Sequence, residues 1–120
     1  MTNKEWSKQE KEIALRAFNV AYYREQKAIL DDIRKRTSEV NDLAELWRLQ
    51  EYLTEKRIEI NEKYDYRYSV LSLVFARLIC DGWLQEEDLE GLADEKLDEI
   101  RRISSLHECD WLRGPGANGV

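Results

Sequence analysis

Between residues 46 and 78, apolar side chains recur at alternating spacings of three and four. The positions are Leu46, Leu49, Leu53, Arg57, Ile60, Tyr64, Arg67, Leu71, Val74 and Leu78. This is the a/d seam of a helix sustained over about four heptads, interrupted by two arginines and a tyrosine. Burying a guanidinium without a partner is costly, so a simple coiled coil would not place two there. Neither Arg57 nor Arg67 has a carboxylate three or four residues away on the same helix. If buried, they must pair with another helix or another subunit.

The N-terminal part carries a second stripe at Ile13, Ala14, Ala17, Phe18, Ala21, Tyr22, Ala28, Ile29 and Ile33, the spacing of an amphipathic helix. Ser7-Lys8-Gln9-Glu10 reads as a capping box that starts it. The stripe fades at Arg36-Thr37-Ser38, and Ser38 or Asn41 is positioned to cap the next helix. The pattern predicts helix 1 over 8–36 and helix 2 over about 42–80. At about 1.5 Å per residue these run roughly 45 and 60 Å.

A short connection folds two such helices into an antiparallel hairpin. The longer one then overhangs the shorter from about residue 70, where VLSLVFARLIC is apolar nearly all round. The remaining chain must wrap that overhang. Gly82 is placed to end the helix, Asp88 to Leu92 reads as a short helical turn, and Asp94 is placed to cap a helix carrying Leu97, Ile100, Ile103 and Leu106. The expected fold class is all-α: a long antiparallel two-helix stem (about 8–70) with a small helical head (about 71–106). Together they form one domain over 1–106, followed by a mobile tail at 107–120. Two helices cannot cover both apolar faces of the stem, so the seam around Leu46, Leu53 and Ile60, with Trp47 beside it, is expected to close on a second subunit as a homodimer.

Composition narrows the function. Charged residues make up 37% of the 120, with a net charge of −6. An acidic chain without a basic patch argues against nucleic acid or an anionic membrane as main partner. With no signal peptide and no long apolar run, membrane insertion is not expected and the location is read as cytoplasmic. Cys80 and Cys109 lack any CxxC spacing and read as a buried small hydrophobe and a tail thiol.

The residues offer little catalytic chemistry. The single histidine, His107, stands in the tail, and no metal-ligand spacing, phosphate loop or nucleophile–base pair can be written. The run Lys63-Tyr64-Asp65-Tyr66-Arg67-Tyr68 reads more plainly as a polar-aromatic joint between stem and head than as an acid–base site. No enzymatic activity, metal or other cofactor is expected.

The run W-x-L-x-x-Y-L-x-x-K-R-x-E-I-x-x-K-Y-D-Y-R-Y-S-V-L, followed by VFA, GWL and DL-x-GL-x-x-E-K-L, resembles the fluorescence recovery protein family of cyanobacteria over roughly residues 6–106. The resemblance implies a mostly dimeric helical regulator. Such a protein binds the C-terminal domain of the photoactivated orange carotenoid protein and speeds its return to the inactive form, ending energy quenching at the phycobilisome.

It also implies that Trp47 and Arg57 serve dimer contact and regulation. The partner or dimer surface implied comprises Leu46, Trp47, Gln50, Glu51, Leu53, Arg57 and Ile60 on the stem, with Leu73, Lys96 and Glu99 on the head. Several positions depart from the family pattern. Where it usually reads L-H-D-F-L, this chain has Leu49-Gln50-Glu51-Tyr52-Leu53. Asn61 stands where an aspartate is usual, Leu73 where some relatives have an aromatic, and Glu99 where lysine is frequent. These changes leave open a relative that keeps the dimer but serves another protein.

Overall fold

The structure, a computed structural model, describes residues 5–106. It is all-helical there, with α1 at Lys8–Ser38, α2 at Leu43–Lys63, α3 at Leu71–Cys80 and α4 at Asp94–Leu106; a 3-10 turn at Glu86–Leu89 precedes α4. The tail at 107–120, with His107 and Cys109, lies outside the described residues.

The start of α1 is as the sequence predicts. Glu10 N–H donates to the Ser7 hydroxyl at 3.1 Å, and Ser7 N–H donates to the Glu10 carboxylate at 3.0 Å. The second cap differs. Asp42, rather than Ser38 or Asn41, accepts from Glu45 N–H at 2.9 Å. Aspartate there also places negative charge at the positive end of α2. α1 and α2 are antiparallel: Tyr52 meets Asp32 near the turn, and Lys63 meets Glu25 further down.

The largest departure lies between α2 and α3. A single helix over 42–80 is expected, but the helix breaks at residues 64–70, beginning at Tyr64 with φ −92° and ψ 72°. No glycine or proline stands between 43 and 81 to demand this. Burial supplies the reason. Leu71, Phe75 and Leu78 are fully buried against Ile13, Ala14 and Ala17 of α1 and Ile100 of α4, which a straight overhanging helix could not achieve. Each such side chain contributes about 1.5–3 kcal/mol, more than the few helical residues given up at the break. The head therefore takes the first half of α1 into its own core.

α3 ends in a Schellman motif. Gly82 has φ +89°, its N–H donates to Ile79 O, and Trp83 N–H reaches Leu78 O at 2.9 Å. Gly91, with φ +110°, turns the chain toward α4. Asp94 is not the cap of α4: Lys96 and Leu97 N–H groups bond Ala93 O, and the Ala93 N–H donates to the Glu10 carboxylate at 2.9 Å. Cys80 is buried as expected, but its sulfur is disulfide-bonded and is not a thiol. Cysteine spacing gave no signal of this.

Candidate functional site

α2 presents its seam outward because few of its side chains reach α1. Leu49 is buried. The Tyr52 hydroxyl donates to Asp32 at 3.1 Å, and Arg36 lies 4.1 Å above the Tyr52 ring. The Arg36 bond to Asp32 is the leading reason that carboxyl sits below its ordinary range. On a 3.6-residue period, Leu46, Gln50, Leu53, Arg57 and Asn61 share one face of α2. That face is open: Leu46 and Leu53 are 38% and 39% exposed, and Gln50, Arg57 and Asn61 are also exposed.

A flanking stripe holds Trp47, Glu51 and Ile58, with Trp47 54% exposed. Ile58 and Leu43, both well exposed, escaped the sequence reading because they lie off the a/d seam. Ile60 is half-buried and borders a 110 Å³ cleft between α1 and α2, where Tyr22, Ile29, Leu30 and Tyr64 also face. Among the described residues, neither Arg57 nor Glu51 makes an ion pair.

The head residues separate. Leu73 is 51% exposed on α3, and Glu99 is half-buried on α4. Lys96 was expected on the surface with them, but it is 7% exposed. Its ammonium donates to Glu10 at 3.2 Å and to Glu5 O at 2.9 Å, beneath the Trp6 ring. α4 turns this lysine into the core, so it is unavailable to a partner.

The polar-aromatic joint exists, with Tyr64 and Arg67 bonding carboxylates and Tyr66 departing from that pattern. Tyr64 O–H donates to Glu25 at 2.8 Å; burial first, and then this bond, push the Tyr64 phenol well up. The Tyr66 hydroxyl is buried without a hydrogen-bond partner among the described residues, and burial pushes it up to about 12. Arg67 is exposed and clamps Asp65, two residues back, through two bonds of 2.8 and 2.6 Å. It needs no distant partner because residues 64–70 are not helical. Beneath the joint, Lys63 Nζ lies 2.8 Å from Glu25 and 3.2 Å from Asp81, an arrangement the sequence did not announce.

Among the described residues, no group of His, Cys, Asp or Glu is placed to hold a metal, and no helix is long and apolar enough to cross a membrane. A helical hairpin with an open apolar face and a compact head defines an all-helical, two-part fold. Residues 6–104 match the family model described as photoprotection regulator fluorescence recovery protein. The chain is 38% identical over 101 residues to the fluorescence recovery protein of Synechocystis sp. PCC 6803, covering 84% of this chain and 93% of that one.

Among solved structures, it is similar to the Fremyella diplosiphon fluorescence recovery protein (TM-score 0.82, 46% identity) over 84% of this chain and 99% of that one. It is also similar to the solved Synechocystis sp. PCC 6803 protein (TM-score 0.81, 37% identity) over the same 84% and 99%. The chain belongs to the fluorescence recovery protein family of photoprotection regulators.

Proposed function

We propose that this protein is a cytoplasmic, homodimeric, non-enzymatic regulator. It binds the C-terminal domain of a photoactivated orange carotenoid protein and accelerates its return to the dark form, restoring antenna fluorescence. The observation that carries the reading is the open α2 face, where Leu46, Trp47 and Leu53 surround an Arg57 and a Glu51 that find no ion-pair partner among the described residues. A family member with that surface has its binding groups directed outward. The second copy covers the seam, while Trp47, Gln50, Glu51 and Arg57, with Leu73 and Glu99 on the head, form the region that meets the carotenoid protein.

A partner speeds such a reversion only by binding its transition state more tightly than the activated state. No covalent step or cofactor is required. A second reading keeps the dimer but assigns it another protein partner. It is favoured by the departures from the family pattern at Gln50, Glu51, Asn61 and Glu99, three of which lie exposed on α2.

The test is to photoconvert an orange carotenoid protein and follow its dark recovery with and without this chain. Faster recovery, with a complex on size-exclusion chromatography, supports the first reading. Unchanged recovery and no complex would shift the assignment to the second.

A further inference from the structure

The seam from Leu46 to Leu78 is written as one helix, and no glycine or proline interrupts it, yet the chain bends at 64–70. Something other than local sequence must hold the bend. The last residue of α2, Lys63, is 4% exposed and joins three helices: its ammonium donates to Glu25 of α1 at 2.9 Å and to Asp81, at the end of α3, at 3.2 Å. Tyr64 donates to the same Glu25 carboxylate, itself 4% exposed, and Arg77 lies 3.7 Å from Asp81. In a continuous helix, residues 63 and 81 would stand about 27 Å apart at 1.5 Å per residue. The Lys63–Asp81 contact and the straight helix therefore exclude each other.

Buried ion clusters are a weak source of stability, because desolvation offsets much of the attraction and apolar replacements are often neutral. Their strength lies in geometry, since each charge accepts few alternative arrangements.

We propose that the Glu25–Lys63–Asp81 cluster is a positioning device that holds the bend and fixes the angle between the α2 stem and the head. Resting on the function proposed above, it lets one partner touch the α2 face and Leu73 of the head together. A partner that grips two sites gains most from the second when the spacing between them matches its own, and loses part of that gain as the spacing spreads.

The experiment measures spin-label distances between Thr54 on α2 and Glu95 on α4, both exposed. Ketone-bearing residues carry the labels, and the protein is diluted with unlabelled chain so that each pair reports one protomer. The wild type gives a single narrow distribution. The variant Glu25→Leu, Lys63→Met, Tyr64→Phe, Asp81→Asn removes the charges without leaving a stranded partner. It keeps a cooperative melt near that of the wild type but gives a clearly broader distribution. Lys63→Arg, which keeps charge and donors, restores the narrow one.

Should the fourfold variant fail to fold, Asp81→Ala alone removes the acceptor at the end of α3 while leaving Lys63 on Glu25, and it too broadens the distribution. A wild-type width in whichever of these variants folds overturns the proposal. In dark-recovery assays with an orange carotenoid protein, a broadened variant accelerates recovery about tenfold less than wild type. Undiminished acceleration would show that the angle is not used by the partner. Failure of the wild type to accelerate recovery would defeat the underlying function while leaving the distance result standing.

Discussion

Lys96 Nζ lies 3.2 Å from Glu10 Oε1, although 86 residues separate the two in sequence. Glu10 closes three connections at once: it bonds Ser7 N–H at the start of α1, Ala93 N–H at the start of α4, and the Lys96 ammonium. The start of α1 and the start of α4 are fastened together through this carboxylate. Glu10→Ala would leave the Lys96 charge buried and uncompensated and should cost about 3–5 kcal/mol. Lys96→Met should cost less, since Glu10 keeps its two backbone donors. Thermal unfolding of the two variants checks the order.

The same carboxylate makes stability depend on pH. Burial pushes Glu10 up, but the N–H groups of Ser7 and Ala93 and the Lys96 ammonium outweigh it, so the group sits below its ordinary 4.5. Its contribution is fully present above that unfolded value and is lost as pH falls through the lower folded one. The melting temperature should therefore drop below pH 4.5 more steeply in the wild type than in Glu10→Gln, which has no proton to take up. Parallel curves would remove Glu10 as the cause.

The two positive-φ glycines separate strain from clash. At Gly82 (φ +89°) an added Cβ meets nothing within 4 Å, whereas at Gly91 (φ +110°) it would lie 2.5 Å from Ile13 Cδ1, within the core. Gly82→Ala should cost about 1–2 kcal/mol for the left-handed backbone alone. Gly91→Ala should cost more, by both mechanisms. Equal losses in denaturant unfolding would mean that Ile13 moves aside freely.

What could be read in advance was local. The capping box at Ser7 and Glu10 and the glycine stop at Gly82 are contiguous signals, and the structure keeps both. The bend at 64–70 was illegible because the heptad continues through it, and burial of Leu71, Phe75 and Leu78, which spacing along the chain does not show, decides against a straight helix. Arg67 misled for the same reason: helical spacing denies it a carboxylate, and the non-helical backbone delivers Asp65. Lys96 reads as a solvent-facing lysine on an amphipathic helix, because its partner Glu10 lies at the other end of the chain. Of the candidate surface, Leu46, Leu53 and Ile60 were read from periodicity, whereas Gln50 and Glu51 were named only by the family resemblance. Ile58 and Leu43 were read from neither, since exposure off the seam leaves no pattern.

The open seam makes oligomeric state the next test. Light scattering of the wild type should report a dimer at micromolar concentration. Leu46→Glu or Leu53→Glu, each placing a charge on the apolar face, should give monomers that retain helical content. If Arg57 pairs with Glu51 of the second copy, a double-mutant cycle on dimer dissociation should show coupling of about 0.5–3 kcal/mol. The two residues stand six apart on one helix and cannot meet there. Zero coupling would exclude the pairing and leave the apolar face as the sole adhesive.

Under the proposed function, the exposed departures on α2 predict a weaker activity. Gln50 and Asn61 lie on the same open face as Arg57, with Glu51 on the flank. In the family pattern those three positions carry imidazole, a shorter carboxylate and a second carboxylate. Asn61 stands four residues beyond Arg57, within same-helix reach, but cannot supply the charge that would orient the guanidinium. An Arg57 without that neighbour samples more rotamers, and ordering it on contact with a partner costs about 0.5–1.5 kcal/mol. This chain is therefore expected to accelerate carotenoid-protein recovery less than a family member with the usual residues. The combined variant Gln50→His, Glu51→Asp, Asn61→Asp should raise the acceleration about tenfold, equivalent to about 1.4 kcal/mol of added transition-state binding. Melting temperature and dimer dissociation measured on the same variant separate a gain in rate from a gain in stability. If the triple variant folds, dimerises and still leaves recovery unchanged, Gln50, Glu51 and Asn61 are not the residues that carry the contact with the carotenoid protein.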